Sequence, residues 1–553
     1  MPRVHFLIRR FIRRASATAA LLLLLPLLES TVVRAQEPGP HGQVAGYAVV
    51  DLADLAQRQA DAPAPPSGLP VVVPFLSPPS RQHLPGSAAE PNALAEKSDA
   101  PPHPPLGLPS AQVASPSPSA SFQALADSGT HIPPDTHGAV GPNHLMATLN
   151  SQIRVQTRAG ATLSTVTLNA FWAGTGATGV FDPKVLYEPF NNRWIFTAMS
   201  NSRSADSSVL IGTSRTSDPT GTWDLFRLDA DSADVNWADF PSMGFNKDWV
   251  VVTANMFTLA NDTFFKSRLF VLRKSNLFGS PASAVTTVID TGGSTQVPAI
   301  TYDNIIATMY LIENLGSNAI HGFVGISTIT GAVGAEVYSD LVSTPSIANP
   351  WASSVPGGAD FAPQSGTASK IQNNDSRIQN VIYRNGSLWT TQTAFLPLAA
   401  PTRAAVQWWQ LNPAGGAVQQ FGRVDDPTGT VFYAFPSLAV NSAGDVLLGF
   451  AQFSSGIFAS AAYAFRTAAD TAGTMRDPVI LKAGETTYFK TFSGTKNRWG
   501  DYSHTVVDPV NDTSFWTIQE YAASPANTWG TWWGQINPPS LLTTRRRSQT
   551  ISE

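Results

Sequence analysis

An all-β fold, a seven-bladed β-propeller, is what this sequence predicts, on three observations. From Phe122 onward, runs rich in Val, Ile, Thr, Phe and Trp are closed by Asn-Gly, Asp-Pro and Gly-containing turns, with almost no helical periodicity. Those runs repeat one phrase seven times: a polar or Pro start, a short apolar strand, a turn, and a second, longer apolar strand. The intervals between the matching positions Asp135, Asp182, Asp239, Pro298, Asp375, Pro436 and Asp501 are 47, 57, 59, 77, 61 and 65 residues, which is the length of a four-stranded blade with insertions.

The elements follow in chain order. Residues 1–35 read as an export signal, with basic "RRFIRR" at Arg9 to Arg14, apolar "LLLLLPLL" at Leu21 to Leu28 and "VRA" before Gln36. Arg9 and Arg10 followed by Phe11 and Ile12 resemble a twin-arginine signal, with Sec export as the alternative. Residues 36–121 are rich in Pro, Ala and Ser, as in "PAPPSGLPVVVPF", and are expected to be a largely disordered, extended linker with a short ordered patch around Val71 to Leu76. Residues 122–540 form the propeller. Its copies open "PPDTHGAV" at Pro133, "FDPKVLYE" at Phe181, "ADFPSMGF" at Ala238, "VPAITYDN" at Val297, "NDSRIQNV" at Asn374, "AFPSLAVN" at Ala434 and "WGDYSHTV" at Trp499. Residues 541–553, with "RRR", form a disordered basic tail.

Composition narrows the function classes. Cleaving the signal removes six Arg and one Glu and leaves 29 basic and 38 acidic residues, a formal charge of −9, which gives no support for nucleic-acid or anionic-membrane binding. The 553 residues include no Cys, so a cysteine nucleophile, disulfides and zinc thiolates are excluded. After Leu28 no run of about 18 apolar residues occurs, so no membrane insertion is expected once the signal is gone. Neither a phosphate loop nor a dinucleotide fingerprint follows a strand.

In a propeller the first strand of each blade lines the central channel, so residues at its start gather on one face. Asp135, Asp182, Asp239, Asp375 and Asp501 would then face one another at the channel mouth. Clustered carboxylates split their pKa values, which suits a general acid and base or a hard cation such as calcium. Arg377, two residues past Asp375, and Arg498, three before Asp501, would balance the charge. The structural alternative is that each Asp fixes a turn by bonding nearby amides. His131, His137 and His144 bracket Asp135 but lack a spacing that converges metal ligands. Of the tryptophans, "AVQWWQL" at Trp408 and Trp409 forces one ring out of a one-sided core, and Trp529, Trp532 and Trp533 crowd the chain end. Exposed, such rings would be sugar platforms; buried, they would pack between blades.

The stretch from Pro133 to Ile536 resembles a group of exported bacterial propeller-like proteins, mostly without assigned activity, in phrases such as "PPDTHGAVGPNHLM", "SDPTGTW" and "NRWGDYSHTVVDP". A looser resemblance is to glycan-processing propellers. "TSDPTGTW" at Thr216 to Trp223 is similar to the Asp-box hairpin of sialidases, with Gly221 displaced by one position and no Arg-Ile-Pro signature elsewhere. "FDPKVLYEPFNNRWIF" looks like the strand of five-bladed arabinan- and xylan-cleaving enzymes in which an Asp-Pro pair supplies the base, which would make Asp182 the base.

Two functions follow as expectations. In the first, an exported glycoside hydrolase uses Asp182 and Asp239 as its carboxylate pair, with Glu520 as an alternative acid. Asp135, Asp375, Arg377, Arg498, Asp501 and Trp499 would bind the substrate. In the second, the same face is a non-catalytic recognition or adhesion surface for an extracellular glycan or surface protein, displayed on the Pro-rich stalk. No cofactor is expected beyond a calcium ion in the Asp ring.

Overall fold

The computed structural model describes residues 41–42, 44–62, 70–79, 81, 113–279 and 286–539. The expected signal peptide, the remainder of the linker and the basic tail lie outside the described residues.

The fold is an all-β propeller. Each repeat forms an antiparallel meander, because its apolar runs are separated by tight turns that only neighbouring strands can bridge. The second repeat is typical: Val180–Glu188, Arg193–Ser200, Ser208–Ser214 and Thr222–Asp229 pair in sequence order. First strands of consecutive repeats contact one another around a common axis. That of the last repeat, His504–Val507, closes the ring on His137–Val140 of the first. The ring is sealed by chain exchange. The outer strand of the last sheet is Ala120–Ala126, from before the first repeat, paired antiparallel with Thr528–Ile536 so that Phe122 lies opposite Trp533.

The number of separate blades departs from expectation. Five blade-sized sheets of four or five strands stand apart, not seven. The third repeat, from Asn236–Phe245, and the fifth, from Ile378–Arg384, run together in one ten-stranded sheet. The link is Ile300–Thr301, which pairs parallel with Phe245 on one side and with Ile382 and Tyr383 on the other. The spacing of repeat starts carries no information about such a bridge.

Part of the expected linker is also ordered. Val44–Asp51 is a fifth, outer strand on the second repeat, with Phe226 opposite Tyr47. It leads into the helix Leu52–Asp61, whose N-cap Asp51 accepts from the Asp54 amide at 3.1 Å and whose Leu52 and Leu55 are buried. His41–Gly42 adds to the third repeat. The alternation in "VAGYAVVD" fits an open sheet edge, and edge pairing orders a segment that its composition alone leaves extended.

Three of the repeat starts contain a β-bulge. Pairing with the second strand slips between Phe181 and Lys184, between Asp239 and Ser242, and between Ala434 and Ser437. In each bulge a residue of positive φ precedes a proline: Asp182 at 54°, Phe240 at 51° and Phe435 at 56°. The structural equivalent of Asp182 is therefore Phe240. Asp239 matches Phe181, one position earlier than the sequence spacing places it. A bulge re-aims the side chains around it, which is how both Asp182 and Asp239 come to point inward.

Candidate active site at the channel mouth

The repeat starts bring Asp135, Asp182, Asp239 and Asp501 to one place, and Glu520 joins them from the strand Phe515–Ala523. All five are at most 5% exposed. Asn150 is the hub: its Nδ2 donates to Asp135 Oδ2 at 2.6 Å and to the Pro133 carbonyl at 2.8 Å, while its Oδ1 accepts from the Asp182 amide at 2.8 Å. The Asp501 amide donates to Asp135 Oδ1 at 2.8 Å, and the Phe240 amide to Asp182 Oδ2 at 3.1 Å. Asp501 Oδ1 accepts from Asn374 Nδ2 at 2.7 Å and from Arg498 Nη2 at 2.6 Å. Asp182 Oδ1, Asp239 Oδ1 and Glu520 Oε1 are buried without a hydrogen-bond partner.

Burial beside like charges favours the neutral acid. Burial first, then Asp501 and Asp182, pushes Asp135 well above the carboxylate range. Burial, then Asp239 and Asp501, does the same to Asp182. Asp239 is pushed up to about 7, by burial first and Asp501 next. Glu520 is raised by burial, then by Asp135 and Asp127. Beneath them Lys184 sits over the rings of Phe240 at 4.4 Å and Tyr502 at 4.3 Å, and burial pulls it down to about 7. Deeper still, His137 and His504 stack at 3.8 Å beside a cavity of about 20 Å³, room for about one water. Burial holds His504 at about 4 and His137 well below its usual value.

Asp375 and Arg377 form their own pair. Arg377 Nε and Nη2 grip the two Asp375 oxygens at 2.8 and 2.7 Å. Burial works against the Asp375 charge, but Arg377 outweighs it and holds the carboxyl below its usual value. Its guanidinium lies 4.2 Å from the Phe240 ring centre, at the edge of the acidic group.

Over this floor lies the segment 70–79. Val71–Val72 pairs parallel with His131–Ile132. Arg498 Nη1 donates to the Val73 carbonyl at 2.9 Å, Arg377 Nη2 to the Leu76 carbonyl at 2.9 Å, and the Ser77 hydroxyl to Asp375 Oδ2 at 2.6 Å. The Phe75 ring centre is 5.1 Å from both guanidinium carbons. The ordered patch expected around Val71 to Leu76 is thus a strap across the mouth.

Some expected site residues fall elsewhere. Trp499 is 1% exposed and packs on Tyr488 and Phe453, so it is core and not a sugar platform. Trp408 and Trp409 are both fully buried, because a blade is covered on both faces and neither ring has to leave the core. Trp529 and Trp533 are likewise buried, while Trp532 is partly exposed and donates to the Ser121 hydroxyl at 2.6 Å. The three histidines do not converge: His131 bonds the Thr130 hydroxyl, His137 lies in the channel and His144 faces Asp218 at 3.8 Å. The Asp-box-like segment is a hairpin turn in which Thr220 N donates to Asp218 Oδ1 and Trp223 Nε1 to the Pro219 carbonyl, both at 2.9 Å. Lys184, Asn150, Asn374, Tyr502 and His504 are site residues that sequence reasoning missed. Two carried a signal: Lys184 follows Asp182 by two residues, and His504 stands in the quoted "WGDYSHTV".

Asp135, Asp182 and Asp501 each offer one carboxylate oxygen within 4.8 Å of the others. Calcium takes six to eight oxygens. Here both Asp135 oxygens already accept hydrogen bonds, and Arg498 stands on the Asp501 oxygen. The three carboxylates alone, with Arg498 on the Asp501 oxygen, supply fewer oxygens than calcium takes.

No protein-family model and no curated protein matches the chain. Solved structures similar to it include an α-L-arabinofuranosidase from Fusarium graminearum (9% identity, 76% of this chain and 98% of that one, TM-score 0.36). Phage phi92 endosialidase is similar at 10% identity, over 66% of this chain and 68% of that one, with a TM-score of 0.30. A GH43_1 enzyme from Xanthomonas citri is similar at 11% identity, over 55% and 88%, with a TM-score of 0.27.

Proposed function

We propose that this is an exported propeller that engages an extracellular carbohydrate at the acidic mouth and cleaves a glycosidic bond there. One observation carries this reading: five carboxyl groups converge in a buried site, where burial and Asp501 push Asp239 up to about 7 and burial beside Asp239 raises Asp182 well above its usual value. Glycoside hydrolysis needs an acid to protonate the leaving oxygen and a carboxylate on the other side of the bond. Asp182 is the proton donor in this assignment and Asp239 the base or nucleophile, with Glu520 as the second candidate donor. These roles reverse the expectation of Asp182 as base, because its environment favours the neutral acid. The cyclic contacts of the first strands support counting the two meanders of the ten-stranded sheet as two blades, which gives seven.

The test is a panel of polysaccharides incubated with the full chain, scoring released reducing ends and retention together. Asp182→Asn and Asp239→Asn should each lower product release by about 10²-fold or more, with retention kept. The second reading, recognition without chemistry, is favoured by the strap that covers the carboxylates. It predicts retention unchanged by Asp182→Asn and no product from any variant.

A further inference from the structure

We infer that Val73 to Ser77 is a self-supplied occupant of a binding groove at the mouth, built for an extended polypeptide that presents carbonyl oxygens on either side of an aromatic ring. The groove is made of the site's own side chains. Arg498 and Arg377 each spend one N–H on a main-chain carbonyl, Val73 and Leu76, and share the Phe75 ring between them. The Ser77 hydroxyl adds a bond to Asp375 Oδ2 at 2.6 Å and the Val73 side chain is buried, and none of these contacts requires the strap's covalent connection.

The strap suits the part of a removable ligand. Pro70, Pro74, Pro78 and Pro79 hold it extended and limit the entropy lost on seating. Its ladder is short: beside the Val71–Val72 pairing, the Val71 and Val73 amides donate to the Thr130 and Ile132 carbonyls at 2.7 and 2.8 Å. Its far end is held from outside the mouth by Arg81, whose Nη1 and Nη2 donate to the Asp340 carboxylate at 3.1 and 2.8 Å. Beside it, a cavity of about 170 Å³ between Ser77, Pro78, Thr295 and Asn314 is lined also by Asp375 and Arg377. While the strap is seated, Asp135, Asp182 and Asp239 are at most 3% exposed, so a sugar ring reaches them only in the fraction of molecules whose strap has lifted. This second consequence, latency toward carbohydrate, rests on the function proposed above; the groove itself does not.

The experiment uses the full chain, wild type and Phe75→Ala/Arg81→Ala, and a labelled synthetic peptide of residues 70–79. The double variant should bind the peptide at least about tenfold more tightly than wild type, whose groove is filled. A peptide with Phe75→Ala should lose about tenfold in affinity, the worth of a desolvated ring against guanidinium. Arg377→Gln in the double variant should lose binding too. Equal affinity of wild type and a cooperatively folding double variant, or indifference to the peptide's ring, overturns the inference. If the double variant does not fold, hydrogen exchange on wild type decides. The Val71 and Val73 amides should exchange well before those of Val250 and Val252, and equal protection overturns the inference. A polysaccharide arm separates the two proposals: peptide seated but no polysaccharide held by the double variant leaves the groove standing and removes the carbohydrate reading. Polysaccharide held equally by wild type and double variant means that the strap closes nothing and overturns the closure.

Discussion

Asp239 shows how one residue couples the site to the stability of the whole. Its carboxyl is raised to about 7 in the fold against 3.8 for the free side chain. Below about pH 4 both folded and unfolded chains carry the proton. Between pH 4 and 7 the unfolded chain has lost it and the folded one keeps it, so folding takes up a proton and stability falls as pH rises. Thermal unfolding of the wild type should therefore shift to lower temperature between pH 4 and 7 more steeply than that of Asp239→Asn; parallel slopes would contradict the burial assigned to this carboxyl. Asp135, Asp182 and Glu520 are raised in the same direction and leave a residual slope in the variant. Strain accompanies the charge. Phe240 and Phe435 hold positive φ, a region costly for bulky side chains, and both precede proline. At Phe240 the ring faces Arg377 and Lys184, so packing around the site holds the backbone there.

At the scale of an element, a blade is a sheet covered on both faces, which changes what its sequence means. "AVQWWQL" reads as one ring in and one out only where a single face is buried. Here Trp408 stacks on Trp389 at 6.1 Å and Trp409 meets Trp351 edge-on at 5.9 Å, on opposite sides of one strand. Truncating either ring leaves a large void. Trp408→Ala should cost about 3 to 5 kcal/mol in denaturant unfolding. At temperatures where the variant is folded, it should bind polysaccharide as the wild type does. Loss of retention without loss of stability would return Trp408 to the role of platform.

For the whole molecule, closure of the ring decides what a folded unit is. Ala120–Ala126 supplies the outer strand of the last sheet, and the Trp529 ring and the Phe122–Trp533 pairing lie behind that seam. A chain beginning at residue 127 would leave Thr528–Ile536 as a bare edge carrying three tryptophans, open to pairing with other molecules. It should aggregate or unfold without a cooperative transition, whereas a chain beginning at residue 36 should unfold cooperatively. Circular dichroism with light scattering separates these outcomes. A well-behaved monomer from residue 127 would show the seam to be dispensable.

The β texture, the repeat of blade starts, the gathering of Asp135, Asp182, Asp239 and Asp501 at one mouth and the ordered patch near Val71 were all readable along the chain, because each rests on local periodicity or on the symmetry that a repeat imposes. Tertiary structure alone decided the rest. The Asp501 amide bonds Asp135 across 366 residues, and Arg498 reaches the Val73 carbonyl across 425. No local pattern encodes contacts made only when the ring closes. The bulge register that puts Phe240 in the place of Asp182 shows only in the strand pairing, and the bridge of Ile300–Thr301 and the strap join segments far apart in the chain. Only the tertiary structure decides, too, the burial that raises the Asp182 carboxyl above its usual value, since desolvation is a property of what surrounds a residue and not of its neighbours in sequence.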